Sequence, residues 1–134
     1  MKHSEDELIQ AAADVRERAF APYSNFKVGA AVETEAGDIY TGCNVESASY
    51  GLTVCAERVA IWKGISRGET KFCRIAVVVD TDELTPPCGV CRQIIWEFCG
   101  DVPVILANLH GRTETVQMSE LLPRAFDSKF LKKI

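Results

Sequence analysis

Histidine is scarce in this chain. Only His3 and His110 occur, and neither stands at a zinc-finger spacing from a cysteine. A finger-like pairing of histidine with cysteine is therefore excluded. No apolar run reaches the length needed to cross a bilayer. A basic excess is also missing: 15 Lys and Arg stand against 19 Asp and Glu, for a formal net charge of −4. That balance argues against the Lys/Arg-rich face that a phosphate backbone selects, so neither a nucleic-acid partner nor a membrane partner is expected. Repeats, low-complexity stretches and linkers are absent as well. The 134 residues fit one domain spanning 1–134. A domain of this size buries roughly two-thirds of its unfolded surface and does not need disulfides. The polar opening Lys2-His3-Ser4-Glu5 is unlike a signal peptide, which makes the cytoplasm the expected location. In that compartment the six cysteines read as thiols or metal ligands.

The hydrophobic pattern predicts alternating helices and strands. Ser4 to Glu7 has capping-box form, and Leu8, Ala11, Ala12, Val15 and Ala19 continue at helical spacing. Phe26, Val28, Ala30 and Val32 alternate, as in a strand with one buried face. After a turn at Glu35 to Asp38, residues 39–45 return as its hairpin partner, and Asn44 and Glu46 open a polar loop. A helix is expected from about Cys55 to Arg67, with Val59, Ile61, Trp62 and Ile65 in the core. The unbroken run Ile75 to Val79 predicts a strand buried on both faces. A helix from about Gly89 to Cys99 follows, its stripe made of Val90, Ile94, Ile95 and Phe98. Strands at 102–107 and 113–117 come next, then a short helix at 119–122 and a last helical turn or two within 127–134. Strand, helix and strand around Cys88 form a βαβ unit, in which ligands bind beyond the carboxyl ends of the strands.

The chemistry is concentrated in Cys55-Ala56-Glu57 and Pro87-Cys88-Gly89-Val90-Cys91. Cys88 and Cys91 have the spacing that lets two thiolates hold one ion at a helix start, and Cys55 stands at a second predicted helix start. Three thiols fill three positions around zinc, and an open fourth position marks a catalytic rather than a structural site. The partial positive charge of two helix N-termini would stabilise thiolates there. Glu57 supplies a carboxylate to move protons, and Arg58 a positive charge or hydrogen bonds to sulfur. A thioredoxin-like redox motif is disfavoured by the preceding Pro-Pro, and a closed zinc site lacks a fourth ligand at suitable spacing. Cys43, Cys73 and Cys99 read as buried small apolar residues.

A His-x-Glu or Cys-x-Glu followed by Pro-Cys-x-x-Cys marks zinc deaminases that act on cytosine or adenine. With Cys55-Ala56-Glu57-Arg58 and Pro87-Cys88-Gly89-Val90-Cys91-Arg92-Gln93, the chain resembles the small cytidine deaminases of nucleoside salvage. Pro22-Tyr23-Ser24, Phe26 to Ala31, Gly42 to Glu46 and Leu121-Leu122-Pro123 extend the likeness over nearly the whole chain. The resemblance implies an α/β fold, a three-layer αβα arrangement around a five-stranded mixed sheet. It also implies a homotetramer with shared active sites and one Zn2+ per subunit on Cys55, Cys88 and Cys91. The implied reaction converts cytidine and deoxycytidine to uridine and deoxyuridine with release of ammonia, Glu57 acting as acid and base in turn. By the same likeness the Ala56 N–H holds the ring O2, Asn44 and Glu46 bind the ribose 3′-hydroxyl, and Phe26 packs on the base. Phe126, and a loop carrying Ala48 and Tyr50, reach a neighbouring subunit's site. The sequence departs from the family at Ser47, where Asn is common, and at Val59, where Thr is frequent. Ser47 is expected to replace the local backbone hydrogen bond.

Three other functions fit parts of this pattern. A deaminase for a modified cytosine nucleoside would share the metal site, but the Asn44 and Glu46 pair and the Tyr50 loop favour an unmodified ribose. An inert zinc-binding module has no use for Glu57. An RNA- or DNA-editing deaminase is opposed by the acidic balance.

Overall fold

The computed structural model describes residues 2–131. Its elements run in the expected order. Helix α1 (Glu5–Arg16) opens on the predicted capping box: the Glu7 N–H donates to Ser4 Oγ, and the Ser4 N–H donates to the Glu7 carboxylate. Strands β1 (Val28–Thr34) and β2 (Ile39–Cys43) form the hairpin. Helix α2 (Ala56–Ser66), strand β3 (Phe72–Val79), helix α3 (Gly89–Cys99) and strand β4 (Pro103–Ala107) follow. Strand β5 (Thr113–Gln117) and the short helix α4 (Met118–Leu121) complete the regular elements. Within the expected helical tail, Ser128–Leu131 forms one 3-10 turn; residues 132–134 lie outside the described residues.

The five strands make one mixed sheet in the order β2-β1-β3-β4-β5. Strands β3 and β4 are parallel, as a βαβ unit requires, and the other pairings are antiparallel. Strand alternation sends two sets of side chains to opposite faces. Ala30, Val32, Ile75, Val77, Val104 and Leu106 pack with Ala60 and Ile61 of α2 and Ile95 of α3. Ala31, Ala76, Val78, Ile105 and Ala107 pack against Leu8 and Ala12 of α1. The result is the three-layer α/β arrangement that the resemblance implied.

Two expectations about burial need correction. Strand β1 is buried on both faces, because it lies inside the sheet with α1 on one side and α2 on the other. Its polar Glu33 is fully buried and ion-paired to Arg74 at 2.7 Å. The helix stripes also differ. Trp62, Ile65, Val90 and Phe98 are exposed, and the buried side of α2 is Ala56, Glu57, Ala60, Ile61 and Gly64. On α3 the buried residues are Cys91 and Ile95.

The reason for the small residues on α2 lies in Gly42 of β2. A Cβ at Gly42 would stand 2.4 Å from Ala60 N and 2.6 Å from Ala56 O. Helix and strand approach too closely for any side chain between them. Helix backbone cannot swing aside, so Gly42→Ala is expected to destabilise the fold by about 1–3 kcal/mol. A lower urea midpoint with an unchanged slope would show it; an unchanged midpoint would contradict the close contact. Because α2 carries Cys55 and Glu57 at its start, this contact also sets the height of the site above the sheet.

Candidate active site

The site lies where β1 begins and β3 ends, with Val28 and Val79 as register partners. Two helix starts meet over these strand ends. Cys55 is the N-cap of α2 and Cys88 the N-cap of α3, and neither side chain caps its own helix. Cys91 lies in the first turn of α3 and is fully buried. The three Sγ atoms lie within 4.8 Å of one another, and Cys55 Sγ stands 3.9 Å from Cys88 Sγ.

This donor set fits zinc. Thiolates about 2.3 Å from a tetrahedral zinc are about 3.8 Å apart, close to the separation found here. Among the described residues the cluster comprises these three side chains alone, the ligand number of a catalytic rather than a closed structural site. Cys55 and Cys91 shift in opposite directions. The Cys55 thiol is lowered to about 5, first by a hydrogen bond from Cys91, against burial, with further help from Arg58 and Cys88. Cys91 is driven far above the usual thiol range, first by that same hydrogen bond and then by burial. A bound cation would favour the ionised form of the buried Cys91 thiol.

Arg58 braces the cluster. Its Nη2 donates to the Thr53 carbonyl at 3.2 Å and to Cys55 Sγ at 3.6 Å. Its guanidinium carbon sits 5.8 Å from the centre of the Trp62 ring, a cation–π distance. This gives the exposed Trp62 a contact that helical periodicity did not reveal.

Glu57 is 4% exposed. Burial foremost raises its carboxyl to about 7; its own backbone N–H opposes the shift and the Cys55 charge adds to it. A carboxyl in that range can both accept and return a proton near neutrality. Glu57 lines a cavity of about 410 Å³ together with Cys55, Cys88, Phe26, Asn44 and Glu46. Val28, Val77, Val79, Thr85 and Pro86 line it as well. The volume suits a small ligand.

Asn44 and Glu46 line the same cavity. Asn44 is buried, its Oδ1 accepting the Val28 N–H at 2.9 Å and its Nδ2 donating to the Phe26 carbonyl at 2.7 Å. Each of these groups can make one more hydrogen bond. Ser47 takes the local role expected of it, its Oγ accepting the Ser49 N–H at 3.1 Å. Ala56 is the first residue of α2 and fully buried, placed where helix N–H groups lack an intrahelical acceptor.

Three expected residues stand apart from this cavity in a single chain. Tyr50 is exposed and meets Tyr23 edge-on at 5.9 Å, lining an adjoining cavity of about 420 Å³. Ala48 is exposed on the same loop. Phe126 stacks on Phe130 at 5.7 Å, and its carbonyl accepts from Gln93 Nε2 at 2.8 Å.

Residues that the sequence did not assign also shape the site. Arg92 donates to the Pro87 carbonyl at 2.8 Å and to the Leu121 carbonyl at 2.9 Å, tying the Cys88 loop to α4. Its position inside the Pro-Cys-Gly-Val-Cys-Arg run was the available signal. Thr53 lines both cavities, and nothing in the local sequence marks it.

Comparison with known proteins agrees with this geometry. The sequence model of the cytidine and deoxycytidylate deaminase zinc-binding region matches residues 2–107. A cytidine deaminase of Sporosarcina psychrophila is 48% identical over 127 residues, covering 94% of this chain and 93% of that protein. One from Halalkalibacterium halodurans is 49% identical over 123 residues, covering 91% and 93%. The crystal structure of cytidine deaminase from Burkholderia pseudomallei superposes with a TM-score of 0.90 at 46% identity, covering 92% of this chain and 100% of that one. With its three-thiol cluster, buried carboxylate and sheet order in place, the chain belongs to the zinc-binding cytidine and deoxycytidylate deaminase family.

Proposed function

We propose that this chain, as one domain, hydrolyses cytidine and deoxycytidine to uridine and deoxyuridine with release of ammonia, a step of pyrimidine salvage in the cytoplasm. One observation carries the reading. The buried Glu57 carboxylate lines one cavity together with Cys55, Cys88 and the Asn44 and Glu46 pair. Cys55, Cys88 and Cys91 would hold one zinc per subunit. Bound there, zinc supplies the positive charge that makes water acidic enough to attack near neutral pH.

Glu57 takes a proton from the attacking water as the new C4–O bond forms, and passes it to ring N3. It then takes the proton of the new C4 hydroxyl and delivers it to the C4 amino nitrogen, which departs as ammonia as the C–N bond breaks and C4=O forms. Acid and base roles in one group require a pKa near the working pH, and burial provides that at Glu57. Phe26 packs on the base and the Ala56 N–H holds O2. Asn44 and Glu46 together offer a donor and an acceptor to the sugar 3′-hydroxyl. Arg58 moderates the thiolate charge.

Ala48, Tyr50 and Phe126 stand at the surface in one chain, as residues that serve a second subunit would. A homotetramer with shared sites is the assembly that uses them. No helix among the described residues is long and apolar enough to cross a membrane.

The test is ultraviolet absorbance of cytidine and of deoxycytidine mixed with the zinc-loaded protein. Both should convert fully to the uracil nucleoside with one ammonia released per turnover. No conversion of cytidine would overturn the proposed function.

A further inference from the structure

The turn residue Ser24 lines both cavities. Its Oγ accepts the Phe26 N–H at 3.0 Å and donates to Glu46 Oε2. The direction of this relay is fixed, since a backbone N–H can only donate and an ionised carboxylate can only accept. Glu46 Oε1 accepts the N–H groups of Tyr23 and Ser24 at 2.9 and 3.1 Å. One short turn therefore holds both oxygens of the carboxylate. The hydrogen bond from Ser24 Oγ foremost keeps Glu46 below the usual carboxylate range, so it remains an acceptor.

Among the described residues the Ser24 hydroxyl is the only side-chain donor to Glu46. Its two other bonds are to backbone and are made by any residue at those positions. A hydrogen bond to an ionised acceptor is among the stronger kinds. Removing it would leave Oε2 free to rotate away from the cavity and would unpair the Phe26 N–H at the same time.

We propose that Ser24 is a positioning residue for sugar recognition: its hydroxyl fixes the Glu46 carboxylate toward the sugar hydroxyl and ties that orientation to the backbone of the base-packing Phe26. This rests on the reading that Glu46 binds the 3′-hydroxyl. The relay makes the site selective for nucleosides that carry that hydroxyl, because the held carboxylate pays its ordering cost before substrate arrives.

The test compares Ser24→Ala, Ser24→Thr and Glu46→Gln in the zinc-loaded enzyme, with cytidine and 3′-deoxycytidine as substrates. For Ser24→Ala we expect KM for cytidine to rise about tenfold with kcat within about threefold, the mark of lost ground-state binding. With 3′-deoxycytidine the same substitution should change KM by less than about twofold. Ser24→Thr, which keeps the hydroxyl, should remain within about threefold of the parent. Adding Ser24→Ala to Glu46→Gln should bring less than about a twofold further change, because the two groups act as one unit.

Equal KM increases for both nucleosides, or additive effects in the double variant, would overturn the proposal and leave Ser24 a purely structural turn residue. A rise in KM for Glu46→Gln without one for Ser24→Ala overturns the Ser24 role alone. An unchanged KM for Glu46→Gln overturns the sugar-binding reading and the Ser24 role with it.

Discussion

Glu57→Gln is expected to lower kcat for cytidine by about 10³- to 10⁴-fold, equivalent to about 4–5.5 kcal/mol of lost barrier reduction. The magnitude follows from how often the carboxylate acts. In the proposed reaction it accepts a proton from water, protonates N3 and then protonates the leaving nitrogen. An amide of the same shape can do none of these. Glutamine fills the same buried volume, so the fold and the metal content should be retained. Circular dichroism and zinc analysis of the variant check both points. KM should change far less than kcat, since the lost interaction belongs to the transition state. Activity within about tenfold of the parent would remove Glu57 from its proposed role.

Cys91→Ala is expected to have the largest effect on the folded state. Cys91 is fully buried and belongs to the sulfur cluster, so its removal strikes both packing and metal binding. Zinc affinity at thiolate sites is coupled to folding, because the ligands are brought together only in the native chain. Zinc content should fall below about one-tenth of an equivalent. A loss of about 3–5 kcal/mol would lower Tm by roughly 10–20 °C in a domain of this size. A chelator separates the two causes. It should lower the parent's Tm substantially and leave the variant's Tm unchanged. One full equivalent of zinc in Cys91→Ala would contradict the ligand assignment.

Much of the fold was legible because its signals are local. The Ser4 to Glu7 capping box, the apolar run at Ile75 to Val79 and the glycines that end α2 and α3 each act over a few residues. Gly68 and Gly100 take positive φ, the conformation that ends those helices at glycine. Burial was less legible. Trp62, Ile65, Val90 and Phe98 carry the right periodicity for a core stripe yet face outward. Periodicity shows that a helix has an apolar face, but not how near the sheet can come. The contact of Gly42 with the backbone of Ala56 and Ala60 decided that for α2, and it selected the small residues for the inside.

The site divides in the same way. The sequence by itself determined the ligand chemistry. Three thiols in these two spacings read as a thiolate zinc site, and Glu57 beside one of them as its proposed proton carrier. The tertiary structure alone decided that α2 and α3 start over the same strand ends and bring Cys55 within 3.9 Å of Cys88. It also decided that Ser24 meets Glu46 and that Arg92 ties the Pro87 carbonyl to α4. The physical reason is range. A capping or ligand spacing is read within one turn of chain, whereas a contact between distant loops depends on the packing of every layer between them.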